Sequence, residues 1–225
     1  MRPRLVIFDV DGTLVDSQDL IVAAQHRAFA ACGLPAPPRV EALSVVGLSL
    51  REAFETLAGP DAPLAQLAEA YKDAFHDLRA AGRQEPFFPG ALETVATLAS
   101  RPDVRLGVAT GKSRRGVTAI LERAGWERVF ATVQTADTNA SKPAPDMVLA
   151  ALKEAGVPPR DAIMVGDTTF DMAMARSAGV TPLGVGWGYH PVEALHAARA
   201  VEVAQSFADA LAFIEGAFTR DTADA

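Results

Sequence analysis

Three stretches of the chain are almost continuously apolar: Arg4–Phe8 (RLVIF), Val104–Thr110 (VRLGVAT) and Ala162–Gly166 (AIMVG). None shows the in–out alternation of a strand with one wet face. Strands of this kind must be covered on both sides, which restricts the chain to a parallel sheet flanked by helices. Shorter runs at Phe130–Val133, Pro182–Val185 and Ala200–Val203 read as further strands. Between them lie segments with helical spacing at Ala91–Ser100, Arg114–Ala124, Pro145–Ala155, Phe170–Ala178, Val192–Ala198 and Phe207–Phe218. The alternation predicts an α/β, doubly wound parallel sheet, with the polar tail TRDTADA frayed beyond it.

The alternation breaks once. From Asp16 to about Arg83 no buried-type strand occurs, only helical segments at Asp16–Ala31 (capped by Asp16 or Ser17), Pro38–Leu43, Leu50–Ala58 and Leu64–Gly82, interrupted by glycine and proline. Two units follow: an α/β core of residues 1–15 and 88–225, and an all-helical insert of residues 16–87, with PFFPG (Pro86–Gly90) as a hinge. Ligands of open α/β sheets bind outside the carboxyl ends of the strands. An insert that leaves from that edge sits over the crevice as a lid.

Composition removes several alternatives. A formal net charge of −7 argues against a nucleic-acid binder, which needs clustered Lys and Arg. The one cysteine, Cys32, has no partner for an intramolecular disulfide and reads as a small buried apolar residue. No run approaches the ~20 apolar residues of a membrane span, and Asp9 cuts off the apolar run behind Arg2 and Arg4, so no signal peptide is read. A cytoplasmic protein, monomer or homodimer, is expected.

Chemistry-bearing residues collect where the strands end. Asp9 and Asp11 stand one residue apart after the first strand, followed by Gly12 and Thr13; Thr110-Gly111-Lys112-Ser113 follows the second. Ser141-Lys142-Pro143 precedes a helix, and Gly166-Asp167-Thr168-Thr169-Phe170-Asp171 follows the AIMVG strand. Each has a plainer reading: Asp-Gly and Thr-Gly are turn chemistry, and Ser113 and Asp167-Thr168 suit helix N-caps. Four such sites on one edge are not explained that way. Like carboxylates converging there repel unless a cation neutralises them, and oxygen-only ligands suit a hard ion such as Mg²⁺. The four histidines are scattered and read as surface or boundary residues.

DVDGTLVDS, ATGKS, SKPAPDM and VGDTTFDM, in that order, resemble the four motifs of the haloacid dehalogenase superfamily. The resemblance is to its phosphoglycolate phosphatase-like branch, which carries a helical cap after the first strand, and it spans nearly the whole chain. It implies a phosphoric monoester hydrolase. Asp9 is then the nucleophile that forms an aspartyl-phosphate, and Asp11 the general acid/base. Thr110, Gly111 and Lys142 bind the phosphoryl group. Asp9, the Asp11 backbone carbonyl and Asp167 hold Mg²⁺, supported by Asp171, which orders a metal-bound water or Lys142.

Within that family Asp11 argues against a dehalogenase, which lacks the second acid. The insert loop VVGLSLREAF offers Arg51 where a phosphonatase needs a lysine for an imine, and Lys72 sits mid-helix. Ile21 stands where a sugar phosphomutase of this branch carries a histidine. The reading that remains is a phosphatase for a small phosphorylated metabolite, phosphoglycolate favoured, with Gly47, Ser49 and Arg51 in the loop that faces the site in relatives and Arg51 as a contact for a substrate carboxylate. A sugar phosphomutase, a pyrophosphatase, and a non-catalytic binding protein on the same fold are the alternatives. Phe87 and Phe88 are expected to pack under the insert rather than to form a dimer surface.

Overall fold

The computed structural model describes residues 2–223. Six strands, β1 (Arg4–Phe8), β2 (Val104–Thr110), β3 (Phe130–Thr135), β4 (Ala162–Gly166), β5 (Thr181–Val185) and β6 (Glu202–Ala204), form one sheet in the order β3-β2-β1-β4-β5-β6. All the pairings are parallel. β1 is therefore central, and the chain reverses its direction of winding beside it. That reversal opens the crevice in which open α/β sheets hold their ligands.

Strand parity explains the two cores. On one face Val6, Phe8, Leu106, Ile163 and Val165 meet α5 (Ala91–Ala99) and α10 (Phe207–Ala223). On the other, Leu5, Ile7 and Met164 meet α7 (Asp146–Ala155) and α8 (Thr169–Ser177). Adjacent residues of β1 thus enter opposite cores, and all five are buried. Each large apolar side chain so buried contributes about 1.5–3 kcal/mol. The remaining helices of the α/β part are α6 (Arg114–Ala124) and α9 (Val192–Ala197).

The stretch without strands folds as α1 (Gln18–Ala31), α2 (Arg39–Ser44), α3 (Leu50–Ala58) and α4 (Leu64–Ala80). It has apolar clusters of its own, one around Ala28, Phe29, Phe54, Leu64 and Leu67 and one around Leu20, Ala24, Ala74 and Leu78. Its two connections to the sheet run side by side. The Asp16 N–H donates to the Pro86 carbonyl, and the Phe88 N–H to that of Leu14. Phe87 and Phe88 pack inward, on Trp126 and Trp187, with centroids 5.3 and 6.3 Å apart.

Some bounds differ from those read in the sequence. α1 begins at Gln18, because neither Asp16 nor Ser17 supplies a strong cap: Ser17 takes the N-cap position but its hydroxyl bonds elsewhere. α10 continues to Ala223 instead of stopping at Phe218, and of the tail read as frayed, Asp224 and Ala225 lie outside the described residues. Among the described residues no helix is long and apolar enough to cross a membrane.

Candidate active site

The strand register brings the motif residues to one edge. Phe8 pairs with Val108 on one side and Val165 on the other. One step beyond Phe8 lies Asp9; two steps beyond its partners lie Thr110 and Asp167. The Asp9 N–H still donates to the Val165 carbonyl, at 2.9 Å, which fixes this tip to β4. Asp9, Asp167 and Asp171 offer carboxylate oxygens that lie within 4.8 Å of one another, all buried.

Lys142 enters this acidic cluster fully buried. Its Nζ is 2.6 Å from Asp171 Oδ1 and 3.0 Å from Asp9 Oδ2. Burial alone would pull its pKa down; the charges of Asp171 and Asp9 outweigh that and hold it above the usual lysine value. Asp171 is held twice more, by the backbone N–H and hydroxyl of Thr168, which caps α8 in a capping box. Asp167 accepts from the Thr13 hydroxyl and the Tyr189 N–H, each at 2.9 Å. Asp9 differs: neither of its oxygens has an aligned hydrogen-bond partner. Burial, with a smaller push from Asp171 against the pull of Lys142, raises its carboxyl from 3.8 to about 6. Burial and the charges of Asp9 and Asp171 likewise raise Asp167.

Asp11 lies on the other side of the turn. Its Oδ1 is 2.6 Å from the Ser17 hydroxyl and 2.8 Å from Lys112 Nζ. Gly12 makes the turn possible. It sits at φ +84°, and a Cβ there would lie 2.2 Å from Asp167 Oδ2. Thr110 is buried, its Oγ1 facing the Lys112 N–H. At Gly111 a Cβ would come 2.4 Å from the Gly47 carbonyl, so the insert loop rests directly on this strand end. The Ser49 N–H donates to Ser141 Oγ at 2.8 Å and makes a second contact between insert and sheet. Ser49 also caps α3. Arg51 is exposed at the rim of the cavity above Asp9 and Asp11.

Several residues in this constellation carry no catalytic, phosphate-binding or metal role in the sequence reading: Thr13, Ser17, Glu85, Lys112 and Tyr189. Tyr189 links both halves of the site. Its hydroxyl accepts from the Ser17 N–H while its own N–H holds Asp167. The glycines of GVGWGY signal its loop, since a Cβ on Gly188 would lie 2.1 Å from that of Asp167.

Glu85 stands in the connection that returns from the insert and is 1% exposed. Arg79 of α4 (2.6 Å), Lys112 (3.3 Å) and Arg123 of α6 (4.0 Å) converge on it. Burial opposes its ionisation, but Lys112 and Arg79 more than reverse this and hold it below the usual carboxylate range. Glu85→Gln removes the counter-charge that Arg79, Arg123 and Lys112 share, leaving Lys112 with Asp11, and is expected to cost about 3–5 kcal/mol in urea denaturation at pH 7. A depressed carboxyl stabilises above its unfolded value and loses that contribution as pH falls through the folded one. The gap between wild type and variant should therefore narrow as pH falls below the unfolded glutamate value.

Comparison with known proteins follows this geometry. Residues 6–185 match the family model described as haloacid dehalogenase-like hydrolase. The chain is 37% identical over 213 residues to the probable phosphatase IndB of Dickeya dadantii, covering 93% of this chain and 92% of that one. It is 34% identical over 195 residues to a phosphoglycolate phosphatase of Agrobacterium fabrum, covering 84% and 82%. The crystal structure of a hydrolase from Pseudomonas syringae superposes with a TM-score of 0.83 at 27% identity, over 96% of this chain and 99% of that one.

Proposed function

The chain belongs to the haloacid dehalogenase-like hydrolases and is a phosphatase of that family; on that premise we propose that it is a Mg²⁺-dependent phosphomonoesterase working through an aspartyl-phosphate on Asp9. The observation that carries this reading is the state of Asp9. A buried carboxylate crowded by Asp167 and Asp171, with Lys142 3.0 Å from one oxygen and no aligned hydrogen bond to either, is costly unless a further cation binds there. Its neighbours support the same reading, because the three carboxylates of Asp9, Asp167 and Asp171 face one ammonium, Lys142. The two excess negative charges and the all-oxygen donors fit a divalent hard cation. Asp9, Asp167 and the Asp11 carbonyl would hold Mg²⁺, with Asp171 committed to Lys142. The ion, when bound, neutralises charge on the phosphoryl group.

Asp9 attacks phosphorus, a P–O bond to its carboxylate forms, and the bond to the leaving alcohol breaks. Asp11 gives that oxygen its proton. Asp11 then takes a proton from water, which attacks the same phosphorus and releases inorganic phosphate from Asp9. Thr110, the Gly111 N–H and Lys142 hold the phosphoryl oxygens, and positioning of this kind supplies most of the catalysis of phosphoryl transfer. Residues 16–87 act as the cap over the reaction. The Gly47–Gly111 and Ser49–Ser141 contacts are where it seats, and the paired connections at Val15 and Phe87 are where it turns. A sugar phosphomutase of this branch carries a histidine on the first cap helix, where Ile21 stands here.

The substrate is a small phosphorylated metabolite. Phosphoglycolate is the reference compound, from the resemblance and from the name of the A. fabrum relative. Phosphate release from phosphoglycolate, pyrophosphate, sugar phosphates and p-nitrophenyl phosphate should require Mg²⁺ and stop with EDTA. Release that persists in EDTA would overturn the metal assignment, and release from none of them the phosphatase reading.

A further inference from the structure

The loop between β5 and α9 takes part in none of the steps above, yet three of its residues are tied to the site. Trp187 Nε1 donates to the Thr13 carbonyl at 3.1 Å, in the turn that follows Asp11. The Tyr189 N–H holds Asp167 at 2.9 Å. His190 accepts from the Thr169 N–H on Nδ1 and donates to the Ser44 carbonyl from Nε2, each at 3.2 Å. The Trp187 ring also packs on Phe207, with centroids 4.7 Å apart. A side chain on a loop fixed in this way can position another group.

The Tyr189 hydroxyl starts a directed chain of hydrogen bonds. Ser17 Oγ lies 2.6 Å from Asp11 Oδ1 and 3.0 Å from the Tyr189 hydroxyl. A carboxylate only accepts, so the single Ser17 hydroxyl proton goes to Asp11, and Ser17 Oγ accepts from Tyr189. The tyrosine oxygen in turn accepts from the Ser17 N–H at 2.9 Å. Burial, and after it the charge of Asp11, raise the phenol above its ordinary value, so the chain keeps its donor. Lys112 Nζ reaches the same Asp11 Oδ1 at 2.8 Å. Both hydrogen bonds to the Asp11 carboxylate thus fall on one oxygen. Oδ1, which already accepts two donors, one of them charged, is the poorer place for a proton, and Oδ2 is the better one. Asp11 lines the cavity, whereas Ser17 and Tyr189 do not.

We propose, resting on the phosphatase reading above, that Tyr189 is a positioning residue for proton transfer: through Ser17 it holds Asp11 Oδ1 in place and so presents Oδ2 to the leaving oxygen. The proton passes from Oδ2 to that oxygen as its bond to phosphorus breaks. Tyr189 acts on the substrate only by way of Asp11.

The test is the leaving-group dependence of Tyr189→Phe and Ser17→Ala at saturating Mg²⁺. kcat/KM reports the first half of the reaction, transfer of the phosphoryl group to Asp9. Ethyl phosphate needs a proton on its leaving oxygen, and p-nitrophenyl phosphate does not. The quotient of the two constants, ethyl over nitrophenyl, is independent of how much protein is active, and damage to folding or to the metal site does not move it. Tyr189→Phe should lower this quotient by about 5–10-fold, the worth of one hydrogen bond. That is short of the ~10²–10⁴-fold that general acid catalysis supplies as a whole. Ser17→Ala should lower it at least as far, and reads the same proton should the tyrosine variant not fold. Adding Tyr189→Phe to Ser17→Ala should lower it no further, because the tyrosine acts through the serine. A quotient left unchanged by both single variants, with equal losses on the two substrates, would overturn the proposal and leave the phosphatase reading standing. Losses that multiply in the double variant would overturn the path through Ser17. Release from neither substrate by the wild type would overturn the phosphatase reading itself.

Discussion

Asp9→Asn is expected to abolish phosphate release and, in the same protein, to raise the melting temperature measured in EDTA. The first half follows from the proposed chemistry, since an amide has no anionic oxygen with which to attack phosphorus. The second follows from what surrounds Asp9. Its carboxylate is buried, lacks an aligned hydrogen bond and shares a pocket with Asp167 and Asp171, and its carboxyl is raised to about 6. A carboxyl whose folded value lies above its unfolded one adds stability at low pH and loses it as pH rises through the folded value. At pH 7.5 the charged Asp9 therefore works against the fold, by roughly 1–3 kcal/mol for a shift of this size. Asparagine removes that charge and leaves Lys142 paired with Asp171 at 2.6 Å. The excess stability of the variant should shrink toward pH 4, where wild-type Asp9 is protonated. It should also shrink when Mg²⁺ is added at pH 7.5, because the wild type gains more from the ion. Thermal unfolding with and without EDTA reads both effects, and a variant less stable than wild type at pH 7.5 in EDTA would contradict the picture of a strained carboxylate. Sites that perform chemistry commonly hold groups that destabilise the resting fold.

The sheet was legible because its strands announce themselves twice. RLVIF, VRLGVAT and AIMVG are almost continuously apolar and also end at glycine, threonine or aspartate, so type and bounds are both marked. Ser113 marked a helix start for the same local reason: its hydroxyl accepts from the backbone N–H three residues on. At β6 the signal weakened. That strand is three residues long, on the sheet edge, with an exposed Glu202, and the apolar run read for it began two residues early. In the candidate site the residues at the strand tips could be found one at a time, since a strand end is a local feature. Their partners could not. Lys112 meets an aspartate 101 positions away, and Tyr189 meets Ser17 across 172 positions. A lysine or tyrosine in a loop looks like any solvated residue until the fold supplies its partner. Glu85 was hidden the same way, beside a proline in a segment readable only as a hinge.

Asp11→Asn separates the two halves of the proposed mechanism, because the acid and the base are needed at different steps. Asp11 is held by Ser17 and Lys112 beside the strand tip that carries Asp9. With an alkyl phosphate the leaving oxygen must be protonated as it departs, so loss of the acid should lower turnover by about 10²–10⁴-fold. With p-nitrophenyl phosphate the leaving phenolate departs without a proton, and the first step should survive. The second step still needs a base to activate water. The variant should then release about one equivalent of nitrophenol in a burst, followed by slow turnover, while the phosphoryl group stays on the protein. Mass spectrometry of the quenched protein would find it on the peptide that contains Asp9. The main-chain carbonyl of residue 11 is untouched by this substitution, so Mg²⁺ should still raise the melting temperature. A burst with trapped phosphoryl group supports nucleophile and acid/base together. Equal loss on both substrates with no burst places Asp11 in organising the site through Lys112 and Ser17, and removes it from proton transfer.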